Sequence, residues 1–510
     1  MTPTFPDMTL TRREMLKRSA AAAGGTVVAT TLGGVFVSAG PAGALPLGGY
    51  GPLVADPAGV LDLPEGFSYR ILSRGGDGYP TGFSTYTGTA ERVAGDNDAM
   101  GSFLERSSGN TLVVRNQELS ASGGDLLERV PTTYQGQPVP TYDPAAGGGT
   151  TNLVLDRDGN LLREYPSLAG TFNNCAGGVT PWGTWLTCEE TSNFVPNTAA
   201  GVRHGYVFEV DPRGVSTNAV PYRAMGRFPH EACAVDPRNS DVYETEDAGI
   251  TGLLYKFVPT DKSKRFGSLA SGGSLFAMLV PGFTRFEQIT TPGTVISGIT
   301  WTPSPLDPDV GFGVNLRDQF PSTEVTRGQK LEGAWFADGV LWFVLSRFDV
   351  APAAGQPDLR NNGQVFRYDP VKNQLELHVY IPVGGVFDQP DNIVVTPFGG
   401  AFLCEDGGGD QYVVGVDGQG ATFPFAKNRV AGNNEFAGAC FSPDARFMFV
   451  NIQNPSTTFA ITGPWALNAD LPPVVPEVPK AVMLPLAGVG ALAAGVLALR
   501  RRGEGGSAQA

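Results

Sequence analysis

Histidine, cysteine and positive charge are all scarce in this chain, and each shortage narrows what it can do. Its 510 residues include three histidines, His204, His230 and His378. That is too few for the imidazole-rich centres that usually hold zinc or copper. His378 falls in a strand-like stretch, 375–380, and reads as ordinary surface. Five cysteines, at 175, 188, 233, 404 and 440, are an odd count that leaves at least one thiol outside any intrachain bridge. Thirty-six lysines and arginines against fifty acids give a net charge of −14. Nucleic acid and anionic lipid both want a basic surface, so neither is an expected partner. There is no P-loop, no Gly-x-Ser-x-Gly elbow and no EF-hand loop, and no Ser/His/Asp set stands out. A nucleophile made by metal ions is therefore more attractive than one made by a side chain.

The ends of the chain carry addresses rather than fold. Thr11-Arg12-Arg13-Glu14-Met15-Leu16-Lys17 precedes a weakly hydrophobic stretch, 20–39, and the small residues Ala42-Gly43-Ala44. This pattern predicts a Tat signal peptide over 1–44, hence passage through the Tat export machinery. Residues 472–480 form a Pro-rich spacer. The uncharged run 481–499 is long enough to span a bilayer and is followed by Arg500-Arg501-Arg502 in the tail 500–510. Gly488, Gly490, Gly495 and Pro485 leave a removable sorting tail as the alternative. Either way the expected location is the outer face of the cell membrane, tethered by the C-terminal segment.

Between the ends, residues 48–469 read as one turn-rich body with 68 glycines and 41 prolines in the whole chain and few amphipathic helical patterns. A short strand ending in polar or acidic residues recurs six times, at 111–118, 184–190, 241–247, 340–346, 401–406 and 446–453. Each is followed by an alternating apolar partner strand after a turn. Irregularly spaced antiparallel units of this kind predict an all-β fold, a six-bladed β-propeller with loop insertions, closed by a strand at 67–72. A β-sandwich, or two stacked all-β domains, is the alternative. In a propeller the strands nearest the axis bring their ends to a central funnel. Glu118, Glu189, Glu190, Glu246, Asp247, Glu405 and Asp406 end such strands, and loops add Glu231, Glu332, Asp391 and Glu435. So many carboxylates in one funnel repel one another unless cations neutralise them.

The donors set the metal. Carboxylates and amides suit hard ions such as Ca²⁺, Mg²⁺ or Fe³⁺. Cys188 and Cys404 lie in apolar strands and read as small buried hydrophobes. Cys175 lies in the Gly-rich turn Asn174-Cys175-Ala176-Gly177-Gly178, where core packing explains it poorly. A thiolate among oxygens points to a transition ion beside the hard ones. Asp96-Asn97-Asp98 and the turn 406–410 are weak oxygen-rich loops that suit plain turns equally well.

Several motifs, in order, resemble those of the PhoX-type alkaline phosphatases. They are residues 174–190, Gly226-Arg227-Phe228-Pro229-His230-Glu231, Leu331-Glu332-Gly333-Ala334-Trp335, Gln389-Pro390-Asp391-Asn392-Ile393 and the stretch 449–455. The resemblance covers most of the mature chain. It implies a propeller around ferric and calcium ions that hydrolyses phosphate monoesters, with Cys175 as the iron-ligating thiolate and Glu332 binding metal beside it. Glu190, Glu231, Asp391, Glu405 and Glu435 follow as ligands, with Glu189, Glu118 and Asp406 completing the set, although adjacent strand residues face opposite ways. Lys330 stands where the family has an arginine clamping phosphate. It keeps the charge and loses the bidentate fork. Asn116-Gln117 likewise replaces the family's Asn-His. A calcium-dependent lactonase-like propeller, needing no thiol, and a non-catalytic surface binding propeller with structural Ca²⁺ are the rival readings.

Overall fold

The computed structural model describes residues 48–78, 92–120, 129–214, 218–432 and 434–465. The expected signal peptide, the Pro-rich spacer, the apolar run 481–499 and the tail lie outside the described residues. Among the described residues no helix is long and apolar enough to cross a membrane, and the helical elements are short 3₁₀ turns.

Strands of alternating apolar residues pair antiparallel into six sheets arranged as blades. Blade one runs Asn97–Glu105, Asn110–Gln117, Gly148–Leu155 and Leu161–Thr171. Blade two is Asn174–Val179, Trp185–Glu189 and Val207–Val210. Blade three holds His230–Val235, Val242–Glu246, Gly252–Pro259, Gly273–Leu279 and Thr300–Pro303. Blade four is Leu331–Ala337, Val340–Leu345, Gly363–Asp369 and Gln374–Ile381, with Val295–Ser297 outside. Blade five comprises Pro390–Val395, Ala401–Glu405, Tyr412–Val416 and Thr422–Asn428, extended by Leu61–Pro64 and Leu53–Val54. Blade six is Phe436–Phe441, Phe447–Ile452, Thr457–Thr462 and Ser68–Arg74.

The first strand of each blade touches the first strands of both neighbouring blades, which closes a ring around the axis. The six-bladed propeller expected from the repeat is therefore the fold, and the sandwich alternative falls. Ser68–Arg74 pairs with Thr457–Thr462 and supplies the closing strand, as expected. Arg115 reinforces this seam from blade one. Its fully buried guanidinium donates to Glu164 at 2.6 Å and, across the seam, to Thr458 at 2.7 Å. Removing one partner of such a buried pair costs about 3–5 kcal/mol.

One expectation needs correction. The six strands recognised in the sequence are the second strands of the blades. The innermost strands precede them and are rich in glycine and alanine, as in Asn174–Val179. Small residues are required there because neighbouring backbones crowd the axis. A Cβ at Gly178 would meet the Cys233 carbonyl oxygen of the next blade at 1.8 Å, and one at Gly333 would meet that of Asp391 at 2.7 Å.

Candidate metal centre

Each innermost strand is bulged near its start, so that two of its residues face one on the second strand. A bulge re-aims a side chain out of the ordinary alternation. In five blades the first bulged residue is a potential ligand: Asp98, Cys175, Glu231, Glu332 and Asp391. In blade six the same position is Gly438, with φ +66°, where a Cβ would lie 2.5 Å from the Asp98 carbonyl oxygen. The acid there comes instead from Glu435, just before the strand.

A second tier comes from residues that directly follow the second strands: Glu118, Glu190, Asp247 and Asp406. Backbone bonds fix three of them to the loops entering the axis. Glu118 N–H donates to the Asp96 carbonyl at 2.8 Å, Glu190 N–H to Asn173 at 2.8 Å and Asp406 N–H to Gln389 at 2.9 Å. Asp96, Asn173 and Gln389 all have positive φ, a sharp turn that aims the chain inward.

These tiers meet in one connected set of donors. Cys175, Glu190 and Glu231 bring ligand atoms within 4.8 Å of one another, as do Glu231, Glu332 and Asp391, and again Asp391, Asp406 and Glu435. Glu231 and Asp391 each belong to two groups and so join all three. Burial, reinforced by the neighbouring acids, holds Asp98, Glu190, Glu231 and Glu332 well above the usual carboxylate range. Asp391 and Glu118 are pushed up to about 7, mainly by burial, and Glu435 to about 10 by burial and Asp406. Burial also raises Asp406, an effect partly offset by Glu435, Lys330 and Arg347. Asp98 Oδ1 and Glu231 Oε1 are buried with no hydrogen-bond donor among the described residues. A buried carboxylate oxygen in that state is costly, and a cation is the partner that suits it. The Cys175 thiol lies 3.3 Å from the His230 carbonyl and 3.5 Å from that of Glu231. Asn116 secures the cysteine's backbone by donating to the Cys175 and Ala176 carbonyls at 2.9 and 2.8 Å. Cys175 thus sits in a strand bulge rather than in the free turn expected from its glycines.

Two expected ligands stand apart. Glu189 accepts N–H groups from Phe172, Gly205 and Tyr206 and contacts His204 Nδ1 at 2.6 Å. Glu405 accepts from Asp388 at 2.8 Å and Tyr412 at 2.9 Å. Both carboxylates pin backbone on the face opposite Glu190 and Asp406, as strand alternation requires.

The histidines are structural. His230 stacks on Phe228 and bonds the Phe228 carbonyl and Glu244, each at 3.0 Å. Burial lowers it to about 3, so it is neutral. His378, expected at the surface, is buried edge-on against Trp342.

Lys330, with φ +45°, sets its ammonium 2.9 Å from Glu332 and 3.0 Å from Asp247. Burial pulls its pKa down, but those two carboxylates outweigh it and the lysine stays firmly charged. Sequence reasoning placed Asp247 at the funnel without naming it a ligand, and missed Asp98 and Arg347 as members of this site. A signal for Asp98 existed: a ligand followed by a small residue recurs in Asp98-Ala99, Cys175-Ala176, Glu231-Ala232 and Glu332-Gly333.

Fold and site together define a six-bladed β-propeller with a buried thiol–carboxylate centre at its axis. Residues 48–456 match the family model described as alkaline phosphatase PhoX. The chain belongs to the PhoX alkaline phosphatase family, a family of phosphatases. Among solved structures it is similar to Pseudomonas fluorescens PhoX in complex with vanadate, a transition state analogue. The identity is 18%, the TM-score 0.59, and the match covers 83% of this chain and 98% of that one, which shows the shared fold. A gluconolactonase from Xanthomonas campestris aligns at 12% identity with a TM-score of 0.33, covering 78% of this chain and 98% of that one. No curated protein matches the chain.

Proposed function

We propose that this protein is an exported phosphatase that hydrolyses phosphate monoesters at a calcium–iron centre on the propeller axis and releases inorganic phosphate. The observation that carries the reading is the connected set of three donor groups containing one thiol. Cys175 with Glu190 and Glu231 offers a mixed thiolate–carboxylate set, where the sulfur selects a transition ion and the oxygens suit Fe³⁺. Glu332, Asp391, Asp406 and Glu435, flanked by Asp98 and Glu118, offer the hard oxygens that suit Ca²⁺. Ions held there would supply Lewis acidity toward a phosphoryl oxygen and toward the attacking water.

The chain's own residues place the ester. Lys330 is held by Glu332 and Asp247 at a fixed point beside the donors and directs positive charge at the equatorial phosphoryl oxygens. Arg347 follows Ser346, whose N–H donates to the Lys330 carbonyl at 3.0 Å. Its ion pair is with the exposed Asp349 at 3.4 Å, so its guanidinium can turn to an incoming phosphate and provide the planar fork that lysine lacks. No side chain has to serve as general base. Arg347→Ala and Lys330→Ala are each expected to raise KM for p-nitrophenyl phosphate about tenfold or more, the worth of one charge-assisted hydrogen bond. Unchanged KM in both variants would remove these two residues from the substrate site.

A calcium chelator should stop turnover of p-nitrophenyl phosphate, and added Ca²⁺ should restore it. Full activity after exhaustive chelation would contradict the reading. Lactone hydrolysis without phosphate release would favour the lactonase rival, which has no use for the thiol. Turnover of no ester would favour the binding propeller.

Export by the twin-arginine route and tethering through 481–499 belong to the same proposal, supported by the sequence of those segments. A chain carrying Arg12→Lys and Arg13→Lys should remain in the cytoplasm on fractionation. Its normal export would count against this route.

A further inference from the structure

Four of the five cysteines have no place among these donors, and two of them meet. Cys188 lies in the second strand of blade two and Cys233 in the innermost strand of blade three, both fully buried. Their sulfurs are 3.4 Å apart across the boundary between the blades. The approach depends on glycine. A Cβ on Gly178 would lie 1.8 Å from the Cys233 carbonyl oxygen, so no other residue lets blade three press this close to blade two. Cys233 shares its strand with Glu231, two residues away, and Cys188 stands opposite the bulge that presents Cys175.

We propose that Cys188 and Cys233 form a disulfide under oxidising conditions, clamping blade two to blade three beneath the metal centre. A disulfide needs its sulfurs about 2.05 Å apart, and side-chain rotation can close the remaining gap. The reaction is thiol–disulfide exchange with a small-molecule disulfide. One cysteine thiolate attacks a sulfur of the reagent and expels one thiol. The second thiolate then attacks the mixed disulfide and expels the other. Two protons and two electrons leave the protein, and one small disulfide becomes two thiols. Cys175 is not the partner, because its thiol is turned to the His230 and Glu231 carbonyls. The bridge joins positions 45 residues apart and restrains the unfolded chain accordingly. It also withdraws two thiols that would otherwise compete for a metal ion or scramble with Cys175.

Full-length protein is reduced, then treated with oxidised glutathione in two ways: folded, in subdenaturing urea, and during refolding from denaturant. Remaining thiols are alkylated in denaturant and counted by intact mass. The expected count falls from five to three, and peptide mapping finds Cys188 joined to Cys233. Cys188→Ser should keep all four of its thiols under the same treatment. The oxidised wild type should melt a few degrees higher than the reduced form. Five alkylated thiols after both treatments, or a bridge that includes Cys175, would overturn the proposal. Neither outcome depends on phosphatase activity.

Discussion

Glu231→Gln is expected to reduce phosphatase turnover on the order of 10³-fold or more, the several kcal/mol that a Lewis-acid centre contributes. The change keeps the shape of the side chain and removes its charge. Glu231 is shared by the thiol-containing donor group and the central carboxylate group, so its loss weakens both. Among the described residues its Oε1 has no hydrogen-bond donor. Glu405→Gln is the matched control. That carboxylate is also deep in blade five, but both its oxygens accept backbone N–H groups. The control should lower thermal stability while keeping bound metal and most of the activity. If Glu231→Gln keeps half of wild-type turnover, the shared-donor account fails.

The second large effect is in stability. Chelator-treated protein should become less stable as pH rises from about 6 to 9. The sign follows from the acids whose pKa is raised in the fold. A carboxyl that holds its proton more tightly when folded contributes stability that is complete below its unfolded pKa and is lost as pH rises through the folded value. Asp391 and Glu118 pass through that point at about 7, and Glu435 at about 10. His204, raised by Glu189 and Asp143 against the pull of burial, acts in the same direction. Carboxylates lowered in the fold, such as Asp56 and Glu376, both at about 2, are ionised in either state across this window and contribute no slope. A melting-temperature fall of at least about 5 °C is expected by scanning fluorimetry. Saturating Ca²⁺ should flatten the dependence, because cations replace the protons. A chelated protein that melts at the same temperature throughout would mean that the acids do not crowd one another as described.

What was legible in the sequence and what was not divide along physical lines. The second and third strands of each blade could be read, because one face packs between blades and the apolar alternation survives, as in Val340–Leu345 paired with Gly363–Asp369. The innermost strands could not, because close approach at the axis demands glycine and alanine, which mimic a turn. The cysteine in Asn174–Val179 was conspicuous for that reason, yet its strand was invisible. Site acids at strand ends came in adjacent pairs, and without the strand phase Glu189 could not be separated from Glu190, nor Glu405 from Asp406. Asp98 was masked by its neighbours Asp96 and Asn97, which look like an ordinary turn. Arg347 had no motif around it; only the ladder that sets Ser346 against Lys330 brings it to the site.

The most direct test of the central claim is anomalous diffraction from crystals of the full-length protein, collected on both sides of the iron absorption edge. The account predicts an iron peak within bonding distance of Cys175 Sγ, with calcium density among Glu332, Asp391, Asp406 and Glu435. Crystals with turnover-competent protein, no anomalous peak at Cys175 and ordinary water between the carboxylates would contradict it.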